Sequence, residues 1–234
     1  MKNPAAGGGR WVDIPPERLV SWIVTFTHRH GTGPVSGDAA GATVTFAAAD
    51  GATAECHPPF PPLLWAGQGD PAAAAEAIVA HAVADRTVGV LLVRLGGYAV
   101  GVFAGSPPRL VSSKTGSRPV HGRSAAGGWS QHRFARRREN QAATAVRAAA
   151  DAAATIFGPH HLDELVLGGD KRSITGIRGD PRLAAYLALA TDRFLTVPDP
   201  RLAVLKEIPR SFLAIRIRLT EPESVSPPSA DQVN

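Results

Sequence analysis

Between Lys114 and Arg147 the chain reads KTGSRPVHGRSAAGGWSQHRFARRRENQAATAVR, and the residue types gathered there support two kinds of chemistry. The first is polyanion binding. Lys114, Arg118, Arg123, Arg133, Arg136, Arg137, Arg138 and Arg147 set eight positive charges against Glu139, a balance of +7 in a protein whose net charge is only +5. Everything outside this window therefore sums to −2, so the basicity is a site and not a background, and nucleic acid is the polyanion such a footprint fits. Four arginines between 133 and 138 repel one another unless an anion is near, which favours phosphate contact over a merely solvated face. The second chemistry belongs to Gln131. A neutral amide cannot serve as a general base, but it can orient a water molecule and donate hydrogen bonds to developing charge. Gly127 and Gly128, just upstream, allow close approach of the backbone to a partner.

Those residues need a carrier and a rigid backing. From Gly116 to Gly128 the chain holds four glycines, Pro119 and small polar residues, a loop composition. From Gln131 onward the period becomes helical. Arg133, Arg137, Asn140, Thr144, Arg147 and Asp151 form a polar stripe, and Ala135, Ala142, Val146, Ala149, Ala153 and Phe157 an apolar one. Ser130 stands where an N-cap belongs and Gly158-Pro159 stops the helix, so Gln131 falls in a first turn whose backbone N–H groups lack intrahelical partners. Upstream, Val88–Val93, Tyr98–Ala104 and Arg109–Ser113 read as three meandering strands that deliver the chain to the loop. Downstream, Leu165–Leu167, Phe194–Val197 and Phe212–Leu219 read as strands. Helical segments at Lys171, across Pro181 to about Ala190, and at Leu202–Glu207 lie between them. The expected fold is α/β, a mixed sheet with packed helices.

Gly127-Gly128-Trp129-Ser130-Gln131, followed by Arg-Phe-Ala-Arg-Arg-Arg, resembles the catalytic loop and helix of the class I release factors of eukaryotes and archaea. Those factors carry contiguous Gly-Gly-Gln, whereas here Trp129 and Ser130 intervene. The spacing Gly128-x-x-Gln131 is similar to that of the Vms-like release factor branch in its bacterial, actinobacterial form. The resemblance implies the fold of the release-factor catalytic middle domain over residues 70–220, and a peptidyl-tRNA hydrolase that frees nascent chains from stalled ribosomes or large subunits. It implies that Gln131, with Gly127 and Gly128, positions the hydrolytic water at the ester, and that the basic residues hold ribosomal RNA and tRNA phosphates. RNA, and not DNA, is the implied nucleic acid. Trp129 is either a core anchor or a platform for an unpaired base. Two other readings stay open: cleavage of the tRNA 3′ (CCA) end by the same loop, or a noncatalytic factor bound to ribosomal or transfer RNA.

The rest of the chain reads as support. Residues 1–10 form a flexible lead. Residues 11–67 form a small α+β module, with a helix from Pro15-Pro16-Glu17 to Gly31 and a hairpin of Thr43–Phe46 with Ala52–Cys56 around Asp50-Gly51. Asp70-Pro71 opens a helix to about Ala84, and residues 221–234 form a disordered tail. The single Cys56 excludes an intramolecular disulfide and fits a reducing cytosol. No apolar run reaches the length of a membrane span, so a cytoplasmic protein without a membrane partner is expected. Neither Cys56-His57 nor His160-His161 has recurring ligand spacing, so no metal and no cofactor is expected. Gly168-Gly169-Asp170-Lys171 reads as a strand-to-helix turn, since it lacks P-loop spacing.

Overall fold

The computed structural model describes residues 3–5, 8–65, 70–117 and 130–222, with residues 3–4 and 130–142 as backbone alone. The chain divides into two units, Met1–Ala82 with Leu213–Asn234, and Val83–Phe212. In chain order the first unit contributes β1 (Asn3–Pro4), β2 (Arg10–Ile14), α1 (Pro16–His30), β3 (Val35–Gly37), β4 (Val44–Ala47), β5 (Thr53–His57) and α2 (Pro71–Ala82). The second unit follows as β6 (Val88–Arg94), β7 (Gly97–Ala104), β8 (Arg109–Ser117), α3 (Ser130–Phe157), β9 (Glu164–Gly169) and α4 (Lys171–Ile177). A 3-10 turn (Pro181–Leu183), α5 (Ala184–Leu187), β10 (Ala190–Leu195), α6 (Leu202–Glu207) and α7 (Pro209–Phe212) complete it. The chain then returns to the first unit as β11 (Ile215–Thr220).

In the first unit the strands form one sheet in the order β1-β2-β11-β5-β4-β3, with every pairing antiparallel. Period-two alternation sends Ile215, Ile217 and Leu219 of β11 to the same core as Val44, Phe46, Ala54 and Cys56. Leu19, Ile23 and Phe26 of α1 and Ala74, Ala75 and Ile78 of α2 close that core. Gly31 ends α1 at φ 84°, its N–H returning to Thr27 O at 2.9 Å.

Three features differ from the sequence reading of this region. The 1–10 lead supplies a strand, Asn3–Pro4, against Arg10–Trp11. Between the expected helix and the expected hairpin lies a further strand, β3, which finishes the sheet on β4. Finally, α2 and β11 belong to the first unit and not to the one downstream. The β11 register against β2 and β5, Ile217 opposite Val12 and Cys56, explains this, because the strand fills the middle of the first sheet.

The second unit is a mixed sheet in the order β10-β9-β6-β7-β8, parallel across β10-β9-β6 and antiparallel across β6-β7-β8. Helices cover both faces, which is why β6, VGVLLVR, is buried from Val88 through Val93 with no alternation. One face packs Leu91, Val93, Val100 and Val102 against Ala149, Ala153 and Phe157 of α3 and Ile174 and Ile177 of α4. On the other, Phe103 meets Phe212 of α7 edge to face at 5.8 Å, and Leu205 of α6 lies over Gly101. The helix expected across Pro181 to Ala190 stops at Leu187, because the chain must turn there to lay Ala190 beside Leu165. Leu165 N–H donates to Leu189 O at 2.9 Å, closing that turn.

Candidate functional site at the sheet edge

Because β6, β8, β9 and β10 all run in one direction, their last residues, Arg94, Ser117, Gly169 and Leu195, share one edge of the sheet. The Arg94 guanidinium donates to Val197 O at 2.7 Å along this edge. The connection from β8 to α3 leaves from it, carrying the Gly-rich segment. The strand runs four residues further than its sequence indicates. Gly116, expected in the loop, pairs with Tyr98 instead, and a Cβ there would stand 2.5 Å from the Tyr98 ring. Lys114 is likewise a strand residue. It sits opposite Val100, on the sheet face that α3 covers, and is exposed.

The helix is far longer than the sheet beneath it. At 28 residues α3 measures roughly 42 Å, against roughly 23 Å for the seven residues of β6. Its C-terminal end is fixed at the start of β6, where Phe157 and Leu162 seat over Gly89, a Cβ on which would come within 2.5 Å of Leu162 Cδ1 and 3.4 Å of Phe157 Cε1. Ala149, Ala150, Ala152 and Ala153 are also buried, and Val146 is half-buried against Gly176 of α4. The excess length therefore lies at the N-terminal end, and α3 overhangs the strand edge by roughly 15–20 Å.

The overhang holds the backbone positions of Gln131, in the first turn, and of Arg133, Arg136, Arg137 and Arg138. The helix begins at Ser130, one residue before the expected start. Arg147 is exposed at the root of the overhang. Arg118, Arg123, Gly127, Gly128 and Trp129 lie outside the described residues, as do the side chains of Gln131 and the four overhanging arginines. The structure thus brings Lys114, Arg147 and the start of α3 to one end of the second unit.

The sequence indicates a strand-to-helix turn over residues 168–171, and its local geometry is that of a helix cap. Asp170 accepts from Arg172 N–H at 3.1 Å and from Ser173 Oγ at 2.9 Å, while its own N–H donates to Val93 O at 2.7 Å. Lys171 is exposed at the start of α4, and Arg172 and Arg178, which the sequence pattern does not single out, are exposed on α4 and just past its end. Cys56 and His57, adjacent on β5, point to opposite faces: Cys56 is buried in the core, whereas His57 meets Trp11 edge to face at 5.2 Å. Among the described residues no group of three or more His, Cys, Asp or Glu side chains is placed to hold a metal, and no helix is long and apolar enough to cross a membrane.

A mixed sheet whose longest helix carries four arginine positions past the strand edge defines an α/β protein with a concentration of positive charge in its sequence that suits a polyanion. Residues 86–218, more than half the chain, match the family described as Actinobacteria/chloroflexi VLRF1 release factor, and the chain belongs to that family. Among solved structures it is similar to an archaeal translation termination factor, aRF1, at 13% identity and a TM-score of 0.38, covering 87% of this chain and 66% of that one. A second archaeal protein matches at 13% identity and a TM-score of 0.33, with the same coverages. The chain thus spans just under two thirds of the length of either. No curated protein sequence matches it.

Proposed function

We propose that this release-factor family member is a peptidyl-tRNA hydrolase that frees nascent chains from stalled ribosomes or large subunits in the cytoplasm. The observation that carries the reading is the overhang of α3, which sets Gln131 at the tip of a rod whose first turns are rich in arginine. An aminoacyl ester is already reactive, so its hydrolysis needs a positioned water and stabilised charge on the departing 3′ oxygen, both within reach of an amide and free backbone N–H groups. Gly127 and Gly128 would let the backbone approach the ester. Lys114, Arg118, Arg123, Arg133, Arg136, Arg137, Arg138 and Arg147 would hold RNA phosphates, and Trp129 would stack on an unpaired base. The partners are then large-subunit ribosomal RNA and peptidyl-tRNA, with no cofactor.

The test incubates wild type and Gln131→Ala with large subunits carrying labelled peptidyl-tRNA and maps the tRNA 3′ end. Release by wild type with an intact CCA end is expected, slowed about 10²–10³-fold in the variant, the cost of one lost hydrogen-bond donor of this kind. A shortened tRNA would instead mean nuclease chemistry. Binding without release would mean a noncatalytic factor.

A further inference from the structure

α4 lies beside α3, with Val146 against Gly176, where a Cβ would stand 3.2 Å from Val146 Cγ1. Arg172 and Gly176 are four residues apart and share a face of α4, so Arg172 stands one turn nearer the sheet edge on the side that α3 occupies. Arg147 is exposed next to Val146, and Arg178 is exposed just past the end of α4. Lys171 is exposed at the start of α4, its Nζ 5.8 Å from the centre of the Phe194 ring.

Of the described carboxylates near these cations, Asp151, Asp170 and Asp180 are engaged, while Asp192, exposed two residues before Phe194, makes no ion pair. Asp151 and Asp180 both accept from Arg182, at 2.7 Å and 2.6 Å, and that guanidinium holds the Asp180 carboxyl below its ordinary range. Asp170 directs both oxygens to the start of α4. Among the described residues Arg147, Lys171, Arg172 and Arg178 make no ion pair. Even set against Asp192, these four cations leave a local excess of positive charge that a polyanion would relieve.

We propose that Arg147, Lys171, Arg172 and Arg178 form a second anchoring face that grips the phosphodiester backbone of large-subunit ribosomal RNA. This rests on the release-factor reading and extends it to a surface outside the arginine-rich overhang. Val146 is roughly 22 Å along α3 from Gln131. Beside it, this face stands too far from Gln131 to touch the same nucleotide, so the phosphates it would grip belong to a separate stretch of RNA, which on a large subunit is ribosomal RNA. The face fixes the root of the helix while the tip reaches the ester.

The test measures binding of the full chain to purified large subunits free of tRNA over a series of KCl concentrations. Wild type is compared with Arg172→Glu/Arg178→Glu and with the equally charged control Lys206→Glu/Arg210→Glu, on α6 and α7. The α4 variant should bind about tenfold more weakly, and its slope of log K against log salt should fall by about 1.4–1.8, the loss of two phosphate contacts. The control should keep the wild-type slope. If circular dichroism shows that the charge reversal does not fold, Arg172→Gln/Arg178→Gln is used, and the same slope change is required.

An unchanged slope in the α4 variant overturns the proposal, as does an equal loss in the control. So does a loss seen with fluorescent tRNA alone and not with subunits. Displacement by poly-glutamate as effective as by RNA of equal charge would identify an acidic protein partner and also overturn it. A slope change together with undiminished release by Gln131→Ala would leave the RNA face standing and remove the role proposed for Gln131.

Discussion

Gly169→Ala is the sharpest perturbation the second unit offers. Gly169 sits at the end of β9 with φ 101°, and a Cβ there would lie 2.2 Å from Val93 O, 2.8 Å from Val93 C and 3.0 Å from Val93 N. All three are backbone atoms of the paired strand β6, so no side-chain rotation relieves the clash. Adopting this positive φ costs a residue with a Cβ about 1–2 kcal/mol. The strands must then part by about 1 Å to restore ordinary contact, which breaks the 2.7 Å bond from Asp170 N–H to Val93 O, for a further loss of about 1 kcal/mol. Displacing the Asp170 cap adds about 1 kcal/mol. The expected loss is about 3–4 kcal/mol, confined to the second unit.

Two probes separate the units. Trp11, Trp22 and Trp65 belong to the first unit, so in a Trp129→Phe background tryptophan fluorescence follows that unit alone, while far-UV circular dichroism follows both. In a urea titration the later or earlier dichroism step belonging to the second unit should move down by about 1.5–2 M, taking an m-value near 2 kcal/mol/M. The fluorescence step should stay in place. Gly179→Ala, where the added Cβ meets nothing within 4 Å and φ is not positive, should change stability by less than about 1 kcal/mol. A Gly169→Ala midpoint within about 0.5 M of wild type, or an equal shift in both signals, would refute the backbone-contact account.

Two further outcomes are expected. Burial raises the Glu164 carboxyl above its ordinary 4.5, Arg86 opposing and Asp163 reinforcing. The folded state therefore holds this proton more tightly than the unfolded one, and the stability linked to it falls as pH climbs above the unfolded value. Glu164→Gln should accordingly gain melting temperature relative to wild type as pH rises from about 4 to about 7, and a constant or shrinking difference in thermal melts would contradict this. Burial also pushes the Cys56 thiol far up, so it should resist a thiol-specific reagent in the native protein and react as the first unit unfolds in urea. Stoichiometric labelling within minutes in plain buffer would contradict that.

What the sequence made legible followed periodicity and turn chemistry. The hairpin around Asp50-Gly51, the alternation of Ile215, Ile217 and Leu219, and the apolar row Ala149, Ala153, Phe157 all stand where those patterns put them. The misread elements are those decided by distant partners. Ala184 to Ala190 has helical composition, yet pairing with β9 turns its end into a strand. Gly116 looks like loop, yet Tyr98 needs a residue without a side chain across the strand pair. At the site, the clustering of arginines was visible in one stretch of chain, whereas the cations of α4 join it only through the packing of Gly176 on Val146, which no local pattern encodes.

The place of β11 governs how the protein comes into being. This strand fills the centre of the first sheet, between β2 and β5, yet the whole of Val83–Phe212 is synthesised after α2 and before it. During elongation the first unit must wait on the order of ten seconds for its middle strand, with the apolar sides of α1 and α2 lacking their full cover. The second unit, continuous in the chain, can close as soon as it clears the exit tunnel. Val83–Phe212 is therefore the piece expected to fold when produced alone, whereas any chain halted before Ile215 leaves two half-sheets with nothing to join them, a natural client for chaperones and proteases.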